Sequence, residues 1–321
     1  MGETRRVAVL GAGIAGAVAA RHLSEAGLAV TVFDKGRGIG GRMATRRVDE
    51  SGLSFDHGAQ FMRAHGAGFR ERLADWTDRG IVGEWEETGG SVGIPGMTAP
   101  VRDLLDGIET RSGRKITRLE NVGGSWRLDI AEGSEGEVFS DGEVFDAVAV
   151  SFPAPQVAAL LAASDVSLPG LEIPVYAPCW SLMLAWEGDC PLQGGPLNDA
   201  SGPIAQMFRE DRKPGRSTDT VRMVVHATPD WSRTHLERTR EEVAALLVAA
   251  IEASMDAPLK PIHASAHRWR YALVETPLGR DCLYDPSLRL GACGDWCLGP
   301  RVEAAHDSGA ALAARMIADL A

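Results

Sequence analysis

The sequence predicts an α/β fold in which both ends of the chain build one parallel sheet and a mixed α+β domain is inserted between them. Apolar runs that begin at Val7, Val30 and Leu288 are typical of buried parallel strands. Apolar and polar residues that alternate with a period of two from 109 to 151 predict a β-meander that leads back into a buried strand. The first domain is therefore assigned to residues 1–61, 97–154 and 266–321, and the second domain to residues 62–96 and 155–265.

The inserted part of the chain has the patterns of both strands and helices. Strands are predicted over 174–186, 204–210, 221–227 and 263–269, and an amphipathic helix over 240–254. The glycine- and glutamate-rich run 132–143 predicts a solvated turn, and residues 188–202 predict a loop.

A strand, a glycine-rich turn, a helix and a second strand follow one another over residues 7–34, where GAGIAG forms the turn. Gly11 permits a sharp turn, Gly13 lets the backbone approach a pyrophosphate, and Gly16 lets the helix pack closely on the strand. Asp34, at the end of the second strand, can accept hydrogen bonds from a ribose hydroxyl, while the helix amino terminus attracts phosphates. The unit predicts a Rossmann-type dinucleotide-binding domain; a purely structural glycine turn is the alternative.

A second glycine-rich segment, GRGIGGR at 36–42, follows the acid rather than a strand, so it does not form a second nucleotide site. Gly41 and Arg42 resemble the GG-x-R segment of glutathione-reductase-type flavoproteins, in which glycines and an arginine lie along the phosphates of the cofactor. The resemblance implies FAD rather than NAD in the first site. A flexible glycine loop is the alternative interpretation.

The carboxyl-terminal part of the chain returns to the same theme. Asp295 follows a strand and precedes a long helix predicted over 302–320. This order resembles the flavin ribityl site of the same superfamily, in which a carboxylate accepts hydrogen bonds from ribityl hydroxyls and the helix start faces the isoalloxazine. The alternative is that Asp295 only closes a turn.

Composition and charge exclude several classes of function. The chain has 321 residues and a formal net charge of -11, which argues against nucleic acid or an anionic membrane surface as a partner. An anionic substrate would therefore need a local basic patch. No stretch is long and apolar enough to span a bilayer, and the start, MGETRR, lacks the apolar core of a signal peptide. A cytoplasmic location is expected; the oligomeric state is not predicted.

The cysteines do not form a recognisable framework. Their odd number and scattered spacing argue against structural disulfides, and no zinc-site pattern is present, so we expect buried thiols and no metal site. A covalent link between one cysteine and the flavin is the alternative. The cysteines are Cys179, Cys190, Cys282, Cys293 and Cys297.

Several segments together resemble the bacterial renalase family over nearly the whole chain. They are HGAQFM at 57–62, VGIPGMTA at 92–99, HATPDWSR at 226–233 and AHRWRYA at 266–272, besides the two glycine-rich segments. The resemblance implies a p-hydroxybenzoate-hydroxylase-like fold with noncovalent FAD. It also implies oxidation of the 2- and 6-dihydro isomers of NAD(P) to NAD(P)+, with the electrons passed to O2.

The motifs and the resemblance together define two sets of candidate residues; Lys35 and Gln60 rest on the resemblance alone. The predicted cofactor contacts are Gly11, Ala12, Gly13, Ile14, Ala15, Gly16, Asp34, Lys35, Gly41, Arg42, Met43, Gly58, Ala59, Gln60, Phe61, Ile116, Gly294, Asp295, Arg301, Val302 and Ala305. The candidates for the substrate pocket are Gly96, Met97, Thr98, Trp180, His226, Trp231, His267, Trp269 and Trp296.

The implied reaction needs no general base from the protein. A dihydropyridine already carries a transferable hydride, and its nitrogen is ribosylated, so no proton has to leave with the hydride. Flavin N5 would accept the hydride, and the protein would orient the two rings. His57 is interpreted as a structural residue; a catalytic base is the alternative. An amine oxidase or desaturase on the same scaffold, and a flavin-bearing electron carrier, are the alternative functions.

Overall fold

The computed structural model describes residues 4–48, 51–132, 138–140, 142–188, 192, 195–196, 202–255 and 258–321. Its α-helices are α1 Ile14–Glu25, α2 Ala67–Asp78, α3 Ala99–Leu104, α4 Ala154–Ala163, α5 Pro229–Thr234, α6 Arg240–Met255 and α7 Val302–Leu320. Short 3-10 helices cover Gly41–Met43, Glu210–Arg212 and Asp295–Cys297.

The strands among these residues fall into three larger sheets and two hairpins. They are β1 Arg6–Leu10, β2 Ala29–Asp34, β3 Thr45–Arg47, β4 Ser54–Asp56, β5 Val82–Trp85, β6 Gly90–Gly93, β7 Glu109–Ser112, β8 Arg114–Val122, β9 Ser125–Glu132, β10 Val138–Phe139, β11 Val144–Phe145, β12 Ala147–Val150, β13 Val175–Trp186, β14 Gly195–Pro196, β15 Ile204–Arg209, β16 Val221–Ala227, β17 His263–Thr276, β18 Leu283–Asp285 and β19 Leu290–Ala292.

The first sheet has the strand order β18-β19-β12-β1-β2-β7 and is parallel apart from β18, as the apolar runs at both ends of the chain predict. Side chains alternate across β1 because successive residues of a strand point to opposite faces. Val7 and Val9 pack with α1 and α7, whereas Ala8 and Leu10 pack with α4 and the meander. The sheet is therefore covered on both faces.

The meander forms the second sheet, in which β9 pairs with β8, β10 and β11. The predicted turn 132–143 is shorter than expected, because β10 continues the sheet by pairing with β9. Residues 133–137 and 141 of that turn lie outside the described residues.

The third sheet has the order β14-β15-β16-β13-β17 and belongs to the inserted part of the chain. One face packs on α6 through Val243, Leu247 and Ile251, whose spacing places them on one side of that helix. β17 continues to Thr276, well beyond the predicted strand, because it pairs with β13 along its length. The proposed domain boundary at residue 266 consequently falls inside this strand. The predicted loop 188–202 is described only in part, and there β14 pairs with β15.

Helix α2 and the β5–β6 hairpin pack against the first sheet. Phe69, Trp76, Val82 and Trp85 are buried in one apolar core with Val9 and other residues of that sheet. The segment 62–96, assigned from the sequence to the second domain, therefore contributes to the core of the first. Within the described ranges, no helix is long and apolar enough to cross a membrane.

Candidate cofactor and substrate site

The glycine-rich turn after β1 has two positions at which the geometry of the backbone requires glycine. Gly11 has φ +107°, and its N–H donates to the carbonyl of Phe33 at 2.7 Å. A Cβ on Gly16 would lie 2.0 Å from the carbonyl oxygen of Gly11. Gly13 is different, because its φ is -81° and a Cβ there would meet no atom within 4 Å. The turn thus leaves free space at the amino terminus of α1, which fits an approaching pyrophosphate.

Asp34 ties this turn to the second glycine-rich segment. Its carboxylate accepts hydrogen bonds from the N–H groups of Ala12 and Gly36, both at 2.7 Å. The N–H of Gly40 donates to the carbonyl of Ala12 at 2.8 Å, so the second loop closes over the first. Burial raises the pKa of Asp34, while the two backbone N–H groups act in the opposite direction.

Arg42 and Asp295, which are both predicted to contact the cofactor, form an ion pair with each other. Arg42 Nη1 and Nη2 each donate to one carboxylate oxygen of Asp295 at 2.6 Å, and Nη1 also donates to the carbonyl of Ala272 at 3.0 Å. Burial lowers the pKa of Arg42, but the Asp295 carboxylate outweighs this and raises it. The pair joins the two ends of the chain at one point, and the sequence did not predict it.

The segment that follows β4 lies against Arg42. The N–H of Ala59 donates to the carbonyl of Arg42 at 2.8 Å, and a Cβ on Gly58 would lie 2.1 Å from that oxygen. The amide of Gln60 donates to the carbonyl of Gly58 at 3.2 Å and accepts from Lys213 Nζ at 3.0 Å. The predicted contacts at 58–60 and at 42 are therefore adjacent.

A cluster of four buried charges supports this segment. The Asp56 carboxylate accepts from Lys213 Nζ at 3.2 Å and from Arg216 Nη2 at 2.6 Å, and Lys213 also pairs with Glu210. None of the four side chains is more than 2% exposed. Burial alone would raise the pKa of Asp56, but the two cations and Thr45 hold it at about 2. The sequence did not predict this cluster, because Asp56 and Lys213 are 157 residues apart and no local pattern links them.

Two histidines of the third sheet, His226 and His267, lie on its inner face, opposite the face that packs on α6, and His57 packs against this face. The ring centroids of His57 and His267 are 4.7 Å apart, and Trp269 Nε1 donates to the carbonyl of His57 at 2.8 Å. Ser181 stands between His226 and His267 in the strand register. The structure thus brings together three predicted pocket residues, His226, His267 and Trp269, beside the segment 58–60.

These histidines are held in their neutral form. Burial lowers the pKa of His57 to about 4, and the positive charge of Arg46 acts in the same direction. Burial, with Lys213 second, lowers the pKa of His226 to about 4. Burial, followed by His57, lowers the pKa of His267 to about 3. All three rings are uncharged at neutral pH and can donate or accept hydrogen bonds without carrying a charge.

The other tryptophan candidates lie elsewhere. Trp180 and Trp231 pack with α6 on the opposite face of the third sheet, because residue 180 points away from the face that carries Ser181. Trp296 is fully buried beneath the meander, and its Nε1 donates to the carbonyl of Phe152 at 3.0 Å. The structure therefore does not place these three residues with the histidines.

The loop 96–98 lies on the β3–β4 side of the molecule. The N–H of Met97 donates to the Asp56 carboxylate at 3.0 Å, and Thr98 Oγ1 accepts from the N–H of Thr45 at 2.7 Å. A Cβ on Gly96 would lie 2.3 Å from Thr45 Oγ1. Gly96 and Thr98 line a separate cleft, whereas Met97 is buried in the core.

The amino terminus of α7 approaches α2. The Glu303 carboxylate accepts from the N–H groups of His65 at 2.9 Å and Gly66 at 2.6 Å. This helix packs closely on α1, since a Cβ on Gly309 would lie 2.2 Å from the carbonyl of Ala15. The remaining predicted contacts differ in burial: Ile14, Met43, Ile116 and Ala305 are buried, Phe61 and Val302 are half-buried, and Arg301 is exposed. The N–H of Gly294 donates to the hydroxyl of Ser308, and Lys35 donates to the side chain of Gln156.

The cysteines in the described residues are buried free thiols, as expected. Burial raises the pKa of Cys179 and Cys297 to about 12 and that of Cys282 to about 11, so these thiols stay protonated. Cys190 lies outside the described residues. No group of histidines, cysteines and carboxylates within the described ranges could hold a metal ion.

The neutral histidines predict that the fold loses stability in mild acid. Each ring binds a proton more weakly in the folded state, where its pKa is about 3 to 4, than in the unfolded chain, where the pKa is about 6.5. Their contribution is complete above about pH 6.5 and is lost as the pH falls towards 4. We expect the free energy of unfolding, measured with urea, to fall between about pH 6.5 and about pH 4. The variant His267→Asn should reduce the slope of this pH dependence. An unchanged slope in His267→Asn would contradict the assignment.

Comparison with known proteins agrees with this geometry. The model of a family described as an NAD(P)-binding Rossmann-like domain matches residues 9–78. The chain is similar to the structure of a putative protoporphyrinogen oxidase from Exiguobacterium sp. 255-15, with 13% identity, a TM-score of 0.72, and coverage of 98% of this chain and 99% of that one.

Two amine oxidases have similar structures. Cyclohexylamine oxidase from Brevibacterium oxydans IH-35A has 12% identity and a TM-score of 0.69, with 99% of this chain and 100% of that one covered. Putrescine oxidase bound to putrescine has 14% identity and a TM-score of 0.61, with 98% and 99% covered. At such identities the likeness concerns the fold. It confirms the predicted α/β class with a Rossmann-like dinucleotide-binding domain.

Proposed function

We propose that this protein is an FAD-dependent oxidase that converts 2- and 6-dihydroNAD(P) to NAD(P)+ and reduces O2 to H2O2. The observation that carries the proposal is the group of neutral rings beside residues 58–60. There, His226, His267 and Trp269 lie on the inner face of the third sheet, His57 packs against them, and all three imidazole rings are neutral. Such a surface suits an uncharged, flat ring rather than an ion.

The residues of the first domain fit FAD. The open space at Gly13 and the start of α1 would receive the pyrophosphate, and Asp34 would accept from a ribose hydroxyl. Arg42 and Asp295 would hold the phosphates and the ribityl chain. The buried, protonated thiols of the described cysteines favour noncovalent attachment. When bound, FAD supplies the acceptor for a hydride and the passage of its electrons to oxygen.

The protein has little acid–base chemistry to perform in this reaction. A dihydropyridine that loses a hydride becomes aromatic, and its ribosylated nitrogen has no proton to release. His57 and His267, with pKa values of about 4 and 3, are weak bases, which suits a site that needs none. The aromatic and imidazole rings orient the substrate and exclude water from it.

Oxidation of an amine is the second candidate, because the fold is shared with putrescine oxidase and cyclohexylamine oxidase. The charges around the histidines favour the first candidate. Lys213 and Arg240 lower the pKa values of His226 and His267, and none of the four side chains of this group, His57, His226, His267 and Trp269, is a carboxylate that could pair with an ammonium group. Lys213 itself is engaged with Asp56 and Glu210 and is not available to a substrate amine.

Anaerobic mixing of the FAD-loaded protein with each reductant tests the proposal. We expect 2- and 6-dihydroNAD(P) to bleach the flavin absorbance rapidly, because hydride transfer needs no base, and primary or secondary amines to leave it unchanged. With oxygen present, H2O2 should form in step with NAD(P)+.

The variant His267→Asn tests whether flavin reduction needs a base from the protein. At saturating substrate this variant should still allow flavin reduction. It should bind the substrate more weakly, because the dihydropyridine ring is misplaced. Bleaching by amines but not by the isomers would overturn the proposal. Complete loss of reduction in His267→Asn would contradict the mechanism, because it would indicate an obligatory proton transfer.

A further inference from the structure

A cleft of about 390 Å³ lies at the edge of the first sheet, away from the histidines. The β3–β4 hairpin contributes Arg47, the start of α3 contributes Thr98 and Arg102, the second glycine-rich loop contributes Ile39, and the end of β7 contributes Ser112. We call it the arginine cleft. Its volume is within the range that accommodates small molecules.

Of the residues that the structure describes, Arg47 and Arg102 are the only charged ones that line the arginine cleft. Both side chains are exposed, and among the described residues neither guanidinium has a hydrogen-bonding or ion-pair partner. The hydroxyl of Ser112 likewise has no partner there. In a chain with a formal net charge of -11, a cleft whose described lining holds two such arginines and no acid is a local exception. Its spare groups are hydrogen-bond donors, which is what an oxyanion needs.

None of the predicted cofactor contacts lines the cleft, although Gly38 and Ile39 belong to the second glycine-rich segment and Gly96 and Thr98 are substrate-pocket candidates. Gly13, Asp34, Arg42 and Asp295, which would hold FAD, are not among its lining residues. The carboxylate of Asp295 is already paired with Arg42, so it does not neutralise Arg47 or Arg102. The positive charge of Arg47 and Arg102 is therefore not accounted for by the proposed cofactor site.

We propose that the arginine cleft binds a phosphate-bearing small molecule. A phosphate ester carries a charge of up to about -2 at neutral pH, which two guanidinium groups balance, and its oxygens match the planar fork of arginine. A single carboxylate would leave one positive charge uncompensated. The inference does not depend on the proposed oxidase activity, since it rests on the lining and the free charges of the cleft.

Equilibrium binding to the FAD-saturated protein tests this inference, with inorganic phosphate, AMP and ADP-ribose as probes in isothermal titration calorimetry. We expect each to bind, and Arg47→Gln and Arg102→Gln each to weaken binding by at least about tenfold, because each removes a charge-assisted contact. Arg118→Gln, which changes an exposed arginine on β8 outside the cleft, is the matched control and should bind as the unmodified protein does. Binding should weaken as ionic strength rises.

The same titrations distinguish the source of the phosphate. If ADP-ribose binds more tightly than AMP, the cleft takes the diphosphate of a dinucleotide, whereas equal affinities of ADP-ribose and AMP would indicate a single phosphate ester. Three results would overturn the inference. They are the absence of binding by all three probes, an equal loss in Arg118→Gln, and phosphate binding only to apoprotein in competition with FAD.

Discussion

Replacing Lys213 with methionine is expected to lower the free energy of unfolding by about 3–5 kcal/mol. Methionine keeps the apolar stem but removes the charge between Asp56 and Glu210, whose carboxylates are both buried. Removing one partner of a buried ion pair leaves an uncompensated charge, and this costs far more than losing a surface pair. Urea denaturation of the protein measures the change.

The control is Lys260→Met, which removes an exposed lysine and should change the unfolding free energy by no more than about 0.5 kcal/mol. A double variant, Lys213→Met with Glu210→Gln, should regain part of the lost stability, because it neutralises Glu210, while Asp56 keeps Arg216 as its partner. A loss below about 1 kcal/mol in Lys213→Met would show that the cluster is hydrated and not buried as described.

The first sheet was predictable from the sequence because its signals are local. Buried parallel strands are short apolar runs, and the glycines around Gly11 and Gly16 are required by backbone geometry within a few residues of each other. The position of Asp34 at the end of β2 follows from the same short-range pattern. These features need no knowledge of the rest of the fold.

The charge cluster and the histidine face were not predictable in the same way. Asp56 and Lys213 are 157 residues apart, and only the packing of the inserted sheet on β4 brings them together. The sequence offered Trp180 and His267 as equal candidates. Strand alternation places Trp180 on the α6 face, while His267 is paired in register with its neighbour, Ser181. Periodicity gives the two faces of a strand, but not which face meets the cofactor domain.

The short helix α5 and the full length of β17 were also not predictable from sequence patterns. α5 begins at a proline and is only six residues long, too short for a helical period to be visible. β17 continues through residues 270–276, where alternation of burial is weak, because pairing with β13 sustains it. One consequence bears on the site: the extended strand delivers the carbonyl of Ala272 to Arg42.

The Asp295→Ala variant is expected to bind FAD at least about tenfold more weakly than the unmodified protein. Under the proposed function, Asp295 accepts hydrogen bonds from the ribityl chain, and hydrogen bonds to a charged group contribute about 1.5–3 kcal/mol each. The structure adds a second cost, because Arg42 would keep only the carbonyl of Ala272 as a partner. Titration of apoprotein with FAD, followed by quenching of flavin fluorescence, measures the affinity.

Two further variants separate charge from shape at this position. Asp295→Asn keeps the side-chain volume and can still accept a hydrogen bond, so its affinity should lie between those of the unmodified protein and Asp295→Ala. Asp78→Ala removes an exposed carboxylate near the end of α2 and should leave FAD binding unchanged. Because Asp295 is only 5% exposed and pairs with Arg42, its removal should also lower the melting temperature of the apoprotein. A lower melting temperature with unchanged FAD affinity would show that Asp295 joins the two ends of the chain but does not contact the cofactor.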